Sequence, residues 1–279
     1  MKWFNQLFQR EPQRIPAPLW LASVTRLRFL QRLSVDERLR LKDLAETILA
    51  TKNFSGAGGF VLTDEIAVLI AAQAALPILN LTIDLYDDLH DIIVYPTEFI
   101  VPHSEVDEAG VVHEWHEPVA GEALGAGGAI ALSWEDVEQG EHPDASFNVL
   151  IHEFVHKIDM GHGDANGCPP FLAAYHQELK AVEWQREFSE AYADFRNAVD
   201  TLEEQLPDDV DLDDPAVAAL YDALFSTLPM DPYAAIDPAE FFAVASEAFF
   251  VKPAPLAQCY PEIYRLMRLY YGQNTLPNR

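Results

Sequence analysis

Apolar positions recur with helical spacing at both ends of the chain and alternate with polar ones in its middle. Residues 1–16, interrupted by Pro12 and Pro16, read as a loose arm. Leu19 to Leu33 has the three- and four-residue spacing of a helix. Ser34, followed three residues later by Glu37, is a capping-box signature, and Leu39, Leu41, Leu44, Ile48 and Leu49 supply an apolar face through about Lys52. Gly56 to Gly59 reads as a turn and Phe60 to Leu62 as a short strand, with Asp64 capping a helix over Glu65–Ala75. Strand signals then take over. Ile92–Val101 reads as a strand bent at its proline, Val111–Pro118 as a second and Ala129–Trp134 as a third, with a glycine-rich loop over Gly121–Gly128. Helical spacing returns near Ala145 and continues past Ile158, then over Phe171–Val199, Pro215–Leu224, Ala239–Phe250 and Pro261–Tyr271.

Length and composition narrow the class. With 279 residues and 49% apolar content, the chain buries a large core as one extended domain or two small ones. A net charge of −27 argues against a nucleic-acid-binding surface, which needs a basic patch, and repels acidic partners. Ten of the 18 lysines and arginines precede Asn53, and none lies between Asn53 and His156, so the basic segment is expected to balance acidic surface of the same chain. Two cysteines, Cys168 and Cys259, form no disulfide framework and fit a reducing compartment, with Cys259 expected as a small buried hydrophobe. The first residues lack the long apolar stretch of a signal peptide and no run of about 18 apolar residues occurs, so a cytoplasmic protein with no membrane partner is expected. The acidic stretch 206–215 fails as a calcium loop: Asp214 stands where glycine is needed and Leu220 where glutamate is needed.

The chemistry centres on His152-Glu153-Phe154-Val155-His156. Residues four apart share one helix face, so both histidines can hold one metal ion, with Glu153 as general base. Phe147, Val149, Leu150, Ile151, Phe154, Val155 and Ile158 surround the polar trio, and buried polar groups need partners. A catalytic zinc takes a third protein ligand. Three residues are candidates. His162 sits where a metzincin places its last histidine, although Asp159 replaces the turn glycine of that pattern. Glu240 follows Asp237 and Pro238, where it also fits a capping box. Glu247 lies nearly two helical turns beyond Glu240 on the same face, so that one of the two carboxylates can bind zinc while the other holds a ligand histidine by its second nitrogen.

Four stretches carry a family resemblance: VYPTEFIV, AIALSW, FNVLIHEFVHKIDMGHGDANG and YAAIDPAEFFAVASEAFF. In these the chain resembles the Mlc titration factor A family of zinc metallopeptidases, also called DgsA anti-repressors. The resemblance covers most of the chain. It implies an α+β, zincin-like fold with a small mixed sheet packed on helices, related to the catalytic domain of anthrax lethal factor. One domain over 1–279 is expected, with a mainly helical part over 17–80 and a catalytic part over 90–279. The family's D-P-A-E glutamate makes Glu240 the third ligand of one zinc per chain, beside His152 and His156. A tyrosine seven residues earlier makes Tyr233 a donor to the oxyanion. Aminopeptidase-like hydrolysis of peptides is implied, along with a regulatory link to a transcriptional repressor. The competing implication is a non-catalytic protein that titrates such a repressor. The acidic segment 206–228 looks longer than in the family and the tail after Tyr271 shorter, which bears on the partner more than on the zinc site. Ala129–Trp134 is expected at the sheet edge, where an extended peptide adds by backbone pairing.

Overall fold

A computed structural model describes residues 14–106, 112–119, 121–124, 128–140, 147–207, 210 and 215–277. Most of the arm expected over 1–16 and part of the acidic segment 206–228 lie outside these residues. The chain divides into two units, Met1–Leu79 with Ile83–Phe154, and Asn80–Thr82 with Val155–Arg279.

In the first unit, helix α1 spans Ala17–Val24 and a 3-10 turn spans Arg28–Arg32, where one continuous helix was expected. The spacing of the leucines explains the break. Leu27, Leu30 and Leu33 are three apart and all buried. A three-residue turn stacks such a trio on one line, whereas an α-helix fans it out. Helix α2, Val35–Thr51, starts at the expected capping box: Glu37 N–H donates to Ser34 Oγ (3.2 Å), and Ser34 N–H donates to Glu37 Oε2 (2.8 Å). Leu41, Ala45, Ile48 and Leu49 are buried, while Leu39 faces solvent. Ile15 is buried ahead of α1, its N–H donating to Glu46 Oε1 at 2.8 Å. Helix α3, Asp64–Ala75, is capped by Thr63, one residue before the expected Asp64; its Oγ1 accepts from Ile66 N–H. Ala67 through Ala75 are all buried.

The strands begin earlier than expected. Strand β1 is Asn53–Gly56, and no strand forms over 60–62. Strand β2, Asp91–Tyr95, stops before Pro96, which has no N–H for a ladder. Strands β3 (Phe99–Val106) and β4 (Val112–Val119) form a separate antiparallel pair. Strand β5 (Gly121–Leu124) occupies part of the expected glycine-rich loop, and β6 is Ala129–Ser133. The main sheet runs β1-β2-β6-β5, with β1, β2 and β6 parallel and β5 antiparallel to β6. Ile92 faces Ile130 and Val94 faces Leu132 in register, all four completely buried. The edge role expected of Ala129–Trp134 is therefore corrected. Strand β6 is paired on both sides and all five of its residues are buried, as its apolar run suits. The sheet edges are β1 and β5. A short helix, α4 (Trp134–Gly140), follows β6 directly, and helix α5 spans Val149–Asp159.

The second unit begins inside α5. A 3-10 turn, Met160–His162, ends it, and an irregular stretch leads to helix α6, Ala181–Glu203. Helices α7 (Pro215–Phe225), α8 (Pro238–Val251), α9 (Pro253–Cys259) and α10 (Pro261–Tyr271) follow, each opening on a proline whose fixed φ suits the first helical position. The core is aromatic: Trp184 stacks on Phe188 (4.2 Å) and meets Phe242 edge-on (5.7 Å). Residues 171–180 are not the expected helix. His176 holds them instead, accepting from Leu172 N–H at Nδ1 (2.9 Å), which leaves Nε2 to donate to Tyr270 O (2.9 Å). Its ring also stacks on Tyr270 at 4.4 Å. Cys168 and Cys259 are both free and exposed; the burial expected of Cys259 falls to Leu256 on the same short helix. Among the described residues, no helix is long and apolar enough to cross a membrane.

Candidate metal centre

Helix α5 is set by a cap and an apolar face. Asn148 Oδ1 accepts from Ile151 N–H (2.9 Å), and its backbone carbonyl accepts from His152 N–H. The Asn148 amide also donates to Gln73 Oε1 on α3 (2.7 Å), so the cap is locked into the core. Ile151, Phe154, Val155 and Ile158 are completely buried, and Phe154 meets Tyr86 edge-on at 5.3 Å. The remaining face carries His152, half-buried, with Glu153 and His156 buried.

Glu240 comes from the first turn of α8. Asp237 is the N-cap, accepting from Ala239 N–H (2.7 Å) and Glu240 N–H (2.9 Å), and Pro238 follows at the first helical position. Glu240 Oε1 lies 3.2 Å from His156 Nε2. One ligand atom from each of His152, His156 and Glu240 lies within 4.8 Å of the others. Tetrahedral zinc, with bonds of about 2.0–2.1 Å, keeps its ligand atoms about 3.3 Å apart. The His156–Glu240 separation already matches that spacing. Two imidazoles and one carboxylate are also a donor set that zinc takes in catalytic sites, with a fourth position left open. The residues therefore fit the ion.

The other two ligand candidates fall outside the trio. His162 is exposed on the 3-10 turn after α5. Gly163, the next residue, takes a φ of +134, a conformation that favours glycine. Glu247 is buried but stands seven residues along α8 from Glu240, about 10 Å of helix rise. Of the two carboxylates on this face, Glu240 is the one whose oxygen joins the two histidines. Tyr233 is half exposed on a 3-10 turn, Pro232–Ala235, immediately before α8. Asp231 caps that turn by accepting Tyr233 N–H (2.9 Å), and Tyr192 on α6 donates its hydroxyl to Ala235 O and Ile236 O (3.2 and 3.3 Å).

One buried residue escaped the motif reading. Asp159 ends α5, and its Oδ2 accepts from both Asn166 N–H and Gly167 N–H at 2.7 Å. Burial pushes its carboxyl above the usual carboxylate range, against the pull of the Gly167 and Asn166 N–H groups. The Asp-Ala-Asn-Gly turn at 164–167 was the available signal, since such residues mark a loop whose amides need an acceptor.

The glucose-regulated metallo-peptidase M90 family matches this chain over residues 2–272. An uncharacterised Synechocystis protein is 34% identical over 276 residues, covering 98% of this chain and 89% of its own length. Mlc titration factor A of Pectobacterium atrosepticum is 32% identical over 271 residues (95% and 90%). Mlc titration factor A of Serratia proteamaculans is 33% identical over 271 residues (95% and 91%). A match across nearly the whole length, shared with these relatives, makes the chain a member of the glucose-regulated metallo-peptidase M90 family.

Proposed function

We propose that the protein is a zinc-dependent peptidase with a zincin-like catalytic architecture, acting in the cytoplasm on short peptides in an aminopeptidase-like manner. The observation that carries this reading is the convergence of His152, His156 and Glu240, drawn from two helices, within 4.8 Å. Zinc, when bound, polarises the scissile carbonyl and lowers the pKa of water at its open position. Glu153, next to the first ligand and buried on the same helix, takes the proton of the attacking water and passes it to the leaving amine. Its burial keeps bulk water from competing for that proton. The Tyr233 hydroxyl donates to the oxyanion of the tetrahedral adduct. The half exposure of that tyrosine suits a group that meets substrate. Two free thiols suit a reducing compartment.

The experiment is zinc content and peptide hydrolysis measured on wild type and Glu153→Gln in parallel. About one zinc per chain is expected in both, with hydrolysis lower by roughly 10²–10⁴-fold in the variant. Unchanged hydrolysis would remove Glu153 from the mechanism. A second reading comes from the family resemblance, with which the relatives' name, Mlc titration factor A, agrees: binding a transcriptional repressor of sugar uptake, with the zinc site regulatory or vestigial. Repressor binding that survives in Glu153→Gln would separate the two roles.

A further inference from the structure

Asp159 is the last residue of the helix bearing His156, and it is 3% exposed. Its Oδ2 closes the loop that follows by accepting the Asn166 and Gly167 N–H groups. Gly167 is gripped on two further sides. Its carbonyl accepts from Trp184 Nε1 at 2.9 Å. Its backbone lies so near the start of α8 that a Cβ would stand 2.4 Å from Pro238 O, and its φ of +78 is in the left-handed region. Pro238 is the first residue of α8, and Glu240 stands two residues further on. A chain of short contacts thus runs from the end of the histidine helix, through one carboxylate and one glycine, to the base of the glutamate's first turn.

Loop closure alone does not need a charge there. A buried carboxylate carries a desolvation cost that an asparagine would avoid. The second oxygen, Oδ1, is buried and has no hydrogen-bond partner among the described residues. Asp159 and His156 are three apart on one helix, a spacing at which side chains are neighbours. The groups that Asp159 holds in place lie about one helical turn from His156 on one side and against the start of α8 on the other.

We propose that Asp159 is a positioning residue for the metal centre: it ties the 163–168 loop, and through Gly167 the start of α8, to the end of α5, and so sets Glu240 against the two histidines. This inference rests on the zinc site proposed above. It is tested by zinc affinity, from chelator competition, and by the melting temperature of the zinc-free protein, for Asp159→Ala, Asp159→Asn, Gly167→Ala and Glu240→Ala. Asp159→Ala and Gly167→Ala are expected to weaken zinc binding by roughly 10–100-fold in folded protein, the range for supporting residues around a metal. Asp159→Asn keeps an acceptor for the two N–H groups and is expected to fall between Asp159→Ala and wild type. If Asp159→Ala does not fold, Asp159→Asn and Gly167→Ala carry the same comparison. Lower melting temperatures with wild-type zinc affinity in the Asp159 and Gly167 variants would mean a structural role only and overturn the proposal. Wild-type affinity in Glu240→Ala, where Asp159 is intact, would instead show that the ligand set is wrong, and the positioning role would fall with it.

Discussion

The two helices that bring His152, His156 and Glu240 together are built differently. Helix α5 is strongly two-faced: Ile151, Phe154, Val155 and Ile158 are completely buried, and its functional groups share the remaining side. Helix α8 is buried from Phe241 through Phe250 and has no polar stripe. Its candidate ligand, Glu240, sits in the first turn, where a glutamate is also an ordinary favourable end residue. On α5 the chemistry stands out because polar groups interrupt an apolar pattern. On α8 it is hidden, because Glu240 resembles a cap and the more conspicuous buried carboxylate, Glu247, lies about 10 Å away along the helix.

The sharpest test of this contrast swaps the two carboxylates of α8. Glu240→Ala is expected to lose more than about 100-fold in zinc affinity, beyond what supporting residues cost, while Glu247→Gln retains about one zinc per chain by elemental analysis. Zinc retained in the first and lost in the second would reverse the assignment. Next in size is burial. Phe154→Ala on α5 and Phe242→Ala on α8 are each completely buried aromatic truncations, expected to cost about 3–5 kcal/mol in urea unfolding. A cost below about 1 kcal/mol at Phe154 would mean that the apolar face of α5 is not core.

The caps offer a smaller comparison. Asp237→Ala removes the α8 cap and is expected to cost about 1 kcal/mol. Asn148→Ala removes the α5 cap and also takes the donor from buried Gln73 Oε1, so a larger loss is expected. Equal losses would show that the Gln73 link contributes nothing.

The smallest effect separates site histidines from a core one. Burial holds the His176 imidazole below its ordinary value of 6.5, with the Tyr270 carbonyl pulling partly the other way. The unfolded chain therefore binds a proton that the folded chain resists. The stability His176 contributes is complete above about pH 6.5 and declines as pH falls toward the folded-state value, by no more than about 1.4 kcal/mol per pH unit. Melting temperatures between about pH 5 and 7.5 should show this slope in wild type. The slope should be weaker in His176→Phe, which cannot titrate, and identical slopes would exclude His176 as its source.

Much of the architecture was legible because local chemistry and final packing agree. The Ser34–Glu37 box, the proline starts of α7, α8 and α10, and the apolar frame around His152 and His156 each follow from interactions within one turn of helix. Other segments were misread because their signals are ambiguous locally. Leu27, Leu30 and Leu33 fit either kind of helix, and only their common burial selects the 3-10 turn. Gly121–Leu124 reads as a loop because glycine favours one, yet β6 offers it a free edge to pair with.

What the sequence determined by itself was the spacing of groups on one element: two histidines and a glutamate on a single helix face, set by 3.6 residues per turn. What only the tertiary structure decided was which distant group joins them. His162, Glu240 and Glu247 are all acceptable zinc donors, and nothing in their local sequence ranks their distance from His156. The start of α8 is set locally by Asp237 and Pro238, but where it lies in the fold depends on long-range contacts such as Gly167 against Pro238 and Trp184 against Gly167. The same reason hides Asp159: its partners are backbone N–H groups seven and eight residues away, and a backbone amide carries no mark in the sequence until the loop has folded around it.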